Sequence, residues 1–99
     1  MNRYILKLYI AGHTPRSQDA IVNLRRICEE MFPDGAYELA IIDVLEQPEL
    51  AEAAKILATP TLIKELPPPT RRIIGDLTDK QQVMTWIEPT FTLIHQREG

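Results

Sequence analysis

Apolar positions along the chain recur with two different periods, and the switches between them divide it into alternating strands and helices. Residues 5–11 read as a first strand, with Ile5, Lys7 and Tyr9 on one side and Leu6, Leu8 and Ile10 on the other. Neither side is strongly polar, which is the pattern of a central strand covered on both faces. Gly12-His13 turns the chain and Thr14-Pro15 opens a helix. Thr14 can accept an orphan backbone N–H, and proline at the first helical position gives up no hydrogen bond. Ala20, Ile21, Leu24, Ile27, Cys28 and Met31 then form one apolar stripe, with Arg16, Gln18, Asn23, Arg26 and Glu30 mostly on the wet side. Pro33-Asp34-Gly35 supplies the turn that ends it.

The second strand is expected over residues 37–44, and Pro48 with Glu49 opens a second helix whose apolar side is Leu50, Ala51, Ala54 and Leu57. A third strand is expected over residues 58–63, a stiff connection with three prolines over 65–70, and a fourth strand over 71–77. Thr78-Asp79-Lys80-Gln81 has the form of a capping box and starts the final segment. That segment is ambivalent: Val83, Met84, Trp86 and Ile87 make a helical face, yet residues 83–87 are also rich in strand formers. Pro89 then interrupts any helix, and residues 91–95 have low helix preference. The order strand, helix, strand, helix, strand, strand, helix predicts an α/β fold with a mixed sheet covered by helices.

Composition narrows the function classes. At 99 residues the chain is expected to be one domain over residues 1–99, with 25% charged and 44% hydrophobic residues, as in ordinary globular proteins. A net charge of −3 lacks the basic footprint of nucleic-acid binding. No apolar run approaches the roughly 20 residues that span a bilayer, and the charged N-terminal residues do not form a signal peptide. The lone Cys28 excludes an intramolecular disulfide and fits a reducing cytoplasm. His13 and His95 lack metal-ligand spacing, and Ser17 has no evident base, so neither a metal nor a catalytic triad is expected.

Residues 42–51 followed by Ala58-Thr59-Pro60-Thr61-Leu62 resemble the middle of a thioredoxin. That resemblance implies a βαβαββα fold and a cis Thr59-Pro60 bond. The redox loop would fall at Thr14-Pro15-Arg16-Ser17, which holds no thiol, and hydroxyls cannot replace the thiolate of disulfide exchange. Cys28 lies on the apolar stripe of the first helix and reads as a buried structural thiol.

Leu8-Tyr9-Ile10-Ala11-Gly12-His13-Thr14-Pro15, Ile42-Asp43-Val44-Leu45, residues 56–62 and Leu66-Pro67-Pro68-Pro69-Thr70-Arg71-Arg72-Ile73-Ile74-Gly75-Asp76-Leu77 closely resemble the KaiB family. The resemblance implies a non-enzymatic adaptor with no cofactor that docks on KaiC, a hexameric ATPase and kinase, with KaiA or a histidine kinase as further partners. It also implies a metamorphic protein, whose ground-state fold (βαββααβ) forms a tetramer and exchanges with the thioredoxin-like monomer. The fold-switch segment would contain Pro67, Pro68, Pro69, Gly75, Asp76, Trp86, Glu88 and Pro89. Lys55 and Lys64 match positive positions of the family, Arg71 and Arg72 suit bidentate pairing with carboxylates or phosphate on a partner, and all four are candidate partner contacts. The sequence departs from clock-type members at Ala40, Trp86 and Glu88, and its end, Gln96-Arg97-Glu98-Gly99, lacks their acidic tail. The alternative is a glutathione-dependent protein using the Thr59-Pro60 loop and the hydroxyl of Tyr9 or Ser17. A third reading is a plain oligomerisation module.

Overall fold

The computed structural model describes residues 3–88. Its elements are β1 (Tyr4–Ile10), α1 (Pro15–Met31), β2 (Tyr37–Asp43), α2 (Pro48–Ala53), β3 (Thr61–Leu66), β4 (Arg71–Ile74) and α3 (Lys80–Ile87). The described strands form one sheet in the order β2-β1-β3-β4, with β1 parallel to β2 and antiparallel to β3, and β3 antiparallel to β4.

β1 is an inner strand, as its two apolar sides predict. Leu6, Leu8 and Ile10 bury against Ala20, Leu24, Ile27 and Cys28 of α1 and Val83, Met84 and Ile87 of α3. Tyr9 points the opposite way and packs with Ile42, Ile63, Val44, Ala54 and Ile56. So α1 and α3 cover one face, and the α2 segment covers the other. At the start of β1, Tyr4, Phe32 and Tyr37 stack as a tilted aromatic run, with ring centroids 4.7 and 5.4 Å apart.

The helix ends follow local chemistry. Thr14 caps α1 by accepting the Ser17 N–H, with Pro15 in the first turn. The second helix ends earlier than its apolar spacing suggests. The Ile56 N–H bonds the Ala51 carbonyl at 2.9 Å and the Lys55 N–H bonds the Glu52 carbonyl at 3.1 Å, with Lys55 at φ 55°. This is a Schellman turn with lysine where glycine is usual. It swings Leu57 out to 95% exposure and leaves Leu50 at 41%, so the expected apolar side of this helix is largely on the surface.

The later boundaries also move. The third strand begins at Thr61, because the turn before it closes on itself, with Thr61 Oγ1 donating to the Ala58 carbonyl at 2.6 Å. The fourth strand stops at Ile74, where Gly75 takes φ 136°; Leu77, at φ 65°, then inserts into the core from a loop. The cap of α3 is Asp79, which accepts the Gln82 N–H at 3.1 Å, one residue beyond the expected Thr78. The Thr59-Pro60 bond is cis as the resemblance implies, and Leu66-Pro67 and Pro68-Pro69 are cis as well.

Leu24 is fully buried between α1 and the sheet. Leu24→Ala is expected to lower the unfolding free energy by about 2–5 kcal/mol, measured as a shift of the urea midpoint at constant slope.

Candidate partner-binding surface

The loop where a thioredoxin keeps its thiols is occupied by a helix cap. Thr14 Oγ1 accepts the Ser17 N–H at 3.1 Å and donates to Ser17 Oγ at 3.0 Å. Ser17 is itself buried. His13 Nδ1 lies 3.4 Å from Gln18 Nε2 on the exposed side of the helix start. Among the described residues, the arrangement gives Ser17 no adjacent base of the kind an activated hydroxyl needs. Tyr9 is 4% exposed, so the two hydroxyls named for a glutathione reaction are both shut away from ligand. Cys28 is fully enclosed, and burial pushes its thiol up to about 12, the opposite of a reactive cysteine. No cluster of three His, Cys, Asp or Glu side chains that could hold a metal occurs among the described residues.

The four candidate cations do not form one patch. Lys64 pairs in register with Arg71, on the face that carries Leu62 and α3. Arg72 pairs with Ile63, which faces the α2 side. There its guanidinium donates to the carbonyls of Ala54 at 2.8 Å and Lys55 at 3.1 Å, pinning the end of α2. Lys55 and Arg72 therefore share one surface. Lys64, read from sequence as a surface lysine, is 4% exposed. Burial pulls its pKa down, the nearby Arg71 adds to that, and Glu88 opposes it by favouring the ammonium.

Glu88 also accepts the Tyr4 hydroxyl, so the residue after α3 is tied to β1 and sits within electrostatic reach of β3. Burial, reinforced by that carboxylate, raises the Tyr4 phenol to about 12. Trp86 packs half-buried against the main core. Asp76 accepts the Asn23 side chain through its backbone carbonyl at 3.0 Å, which ties the loop after β4 to α1. Pro67, Pro68 and Pro69 lie in the turn between β3 and β4 and Gly75 directly follows β4, whereas Pro89 and His95 fall outside the described residues.

Sequence reasoning missed an apolar shoulder. Leu57, at 95% exposure, helps line a shallow cavity of about 210 Å³ with Val44, Ala51, Ile56, Ala58 and Thr59, and the exposed Leu45 and Leu50 each precede or follow a lining residue in the chain. Exposed apolar ground gathered in this way marks interaction sites more often than chance placement does. The spacing of Leu50 and Leu57 reads as one buried helix face, and only the early turn at Lys55 makes it surface.

A thioredoxin frame with no thiol in its loop and with the hydroxyls of Thr14 and Ser17 engaged in capping defines a domain of the thioredoxin-like class. Comparison with known proteins is more specific. The KaiB domain family matches residues 7–89. The circadian clock oscillator protein KaiB of Microcystis aeruginosa is 54% identical over 96 residues, covering 97% of this chain and 91% of its own. The protein of the same description from Synechococcus sp. is 60% identical over 85 residues, covering 86% of this chain and 76% of its own. Among solved structures, the N-terminal domain of Synechococcus elongatus SasA aligns with a TM-score of 0.71 at 28% identity, over 87% of this chain and 84% of that one. Chloroplastic thioredoxin z, at 23% identity and a TM-score of 0.71 over 88% of this chain and 77% of its own, shares the fold. The chain belongs to the KaiB family.

The two raised pKa values set an alkaline limit. Folded, Cys28 and Tyr4 hold their protons to about 12, against ordinary values of 9.0 and 10.0. Their contribution to stability is full below the lower of these ordinary values and is lost as pH rises toward the folded ones. The urea midpoint is expected to fall across that window, and Cys28→Ala combined with Tyr4→Phe to flatten the decline.

Proposed function

We propose that this chain is a non-enzymatic regulator that docks on a KaiC-type hexameric ATPase ring and alters its activity within a clock or related timing system. The KaiB family match, with clock oscillator proteins 54% identical over 97% of the chain and 60% identical over 86% of it, carries this reading. The geometry supports binding over catalysis: thiol and hydroxyls are buried, while leucines are exposed. KaiA or a histidine kinase would be further partners by the same family resemblance.

The contact surface in this reading is the α2 shoulder. Leu45, Leu50 and Leu57 supply apolar area, and Lys55 with Arg72 supplies charge at the rim. Such a layout, anchors inside and charges outside, is how interfaces concentrate affinity. Lys64 and Arg71 lie on the other face of the sheet. The thioredoxin-like arrangement is the binding-competent one, and the tetrameric βαββααβ ground state is its storage form.

Size-exclusion chromatography with the KaiC-type ring of the same genome and ATP tests this over hours. The chain is expected to move slowly into the ring's peak, the slow step being conversion to the competent fold. Absence of any shift with the ring intact would sink the proposal. Leu57→Asp and Lys55→Glu are each expected to weaken co-elution; unchanged co-elution by both would move the contact elsewhere on the molecule.

A further inference from the structure

β4 ends the sheet, and its backbone is only half used. The Gly75 N–H bonds the Pro60 carbonyl at 2.9 Å, in register with the β3–β4 pairing of Ile74 with Thr61 and Arg72 with Ile63. Residues of an antiparallel strand alternate between facing their partner strand and facing away. Since Gly75 faces β3, so do Ile73 and Arg71. Arg72 and Ile74 therefore direct their N–H and C=O groups away from the sheet.

The side chains around this edge have a definite chemistry. Ile74 is 59% exposed, and Arg71 and Arg72 are exposed on opposite faces of the strand. Lys64 stands across from Arg71, and the exposed Arg72 keeps its charge on the other face while its guanidinium holds the Ala54 and Lys55 carbonyls, so positive charge flanks the edge on both faces. Glu88 lies on the Arg71 face but is engaged by Tyr4, and Glu65 on β3 is paired with Lys7 at 3.1 Å. The opposite edge of the sheet differs: β2 exposes Glu38 and Ala40, and Glu38 is paired with Arg3 at 3.6 Å.

We propose that the β4 edge accepts an extended acidic segment of a partner protein as an added antiparallel strand. Two adjacent apolar residues of that segment lie opposite Ile74 and Ile73, and the next two, both carboxylates, lie opposite Arg72 and Arg71. Main-chain bonds to Arg72 and Ile74 supply affinity, and the two ion pairs, one on each face, select the sequence. A second copy of β4 fits poorly. Pairing two such edges about a twofold axis crowds four guanidiniums into one short ladder without a carboxylate between them. The edge adjoins the leucine shoulder at Arg72 but is read by the outward Arg72 and Ile74 main chain and by Arg71 on the other face, and its test needs no ATPase ring.

The probe is a capped peptide, Thr-Val-Val-Glu-Glu-Thr, titrated into isotope-labelled chain and followed by NMR shifts and amide exchange. The Arg72 and Ile74 amides are expected to become protected, while those of Arg71 and Ile73, already in the ladder, change little. Replacing both glutamates by lysines is expected to weaken binding at least about tenfold, the size of a charge-assisted pair. Ile74→Pro deletes an outward donor without touching a bond to β3, so binding is lost while the Leu62 and Lys64 amides stay protected. Arg71→Glu provides a second variant: it is expected to bind the lysine peptide better than the glutamate one. Protection confined to the β2 amides of Leu39 and Ile41, indifference to peptide charge, or no protection at Arg72 and Ile74 would each overturn the proposal. So would protection there that grows with chain concentration alone, since the occupant would then be a second copy.

Discussion

Everything in the fold leans on β1 being apolar on both sides. A strand of that kind has to lie between covering layers, because either side left in water would expose leucines, isoleucine or tyrosine. β2 and β3 satisfy its edges, α1 with α3 cover Leu6, Leu8 and Ile10, and the α2 segment covers Tyr9. The remaining elements are positioned by these obligations. α2 has no fully buried residue, and that leaves Leu50 and, beyond its end, Leu57 on the surface.

The loop after β1 holds a helix cap where a thioredoxin keeps its thiols. A thiolate there would need exposure and a depressed pKa. This chain places threonine and serine at the same point, spends both hydroxyls on the helix terminus, and moves its one thiol to the interior of α1. Nothing nucleophilic among the described residues is both accessible and activated. What is accessible is a mixture of leucines, cations such as Lys55 and Arg72, and carboxylates such as Glu46, Glu49 and Glu52.

Much of this was legible in the chain itself. The two-sided first strand, the Thr14-Pro15 helix start and the burial of Cys28 follow from period and local propensity, and the structure agrees. The cis Pro60 came from resemblance alone. The misreadings share a physical origin: each concerns a residue whose surroundings are set by distant chain. Lys64 looks like a surface lysine until α3, Arg71 and the end of β1 close over it. Leu57 looks buried until Lys55 turns left-handed, a conformation held in part by Arg72 from a strand far along the sequence. Thr78 and Asp79 are both good caps, and the choice between them depends on where Leu77 must enter the core.

The tie at the end of α3 changes how that helix can come away. Helix ends ordinarily fray residue by residue, each step costing little. Here Glu88, the residue after the helix, cannot leave without taking its carboxylate from the Tyr4 hydroxyl and from the neighbourhood of the buried Lys64 in one move. The next steps expose Ile87, Met84 and Val83 from the core, so no partial departure comes easily. Such an element behaves as a latch and not as a zipper: closed or sprung, with few intermediate positions worth occupying.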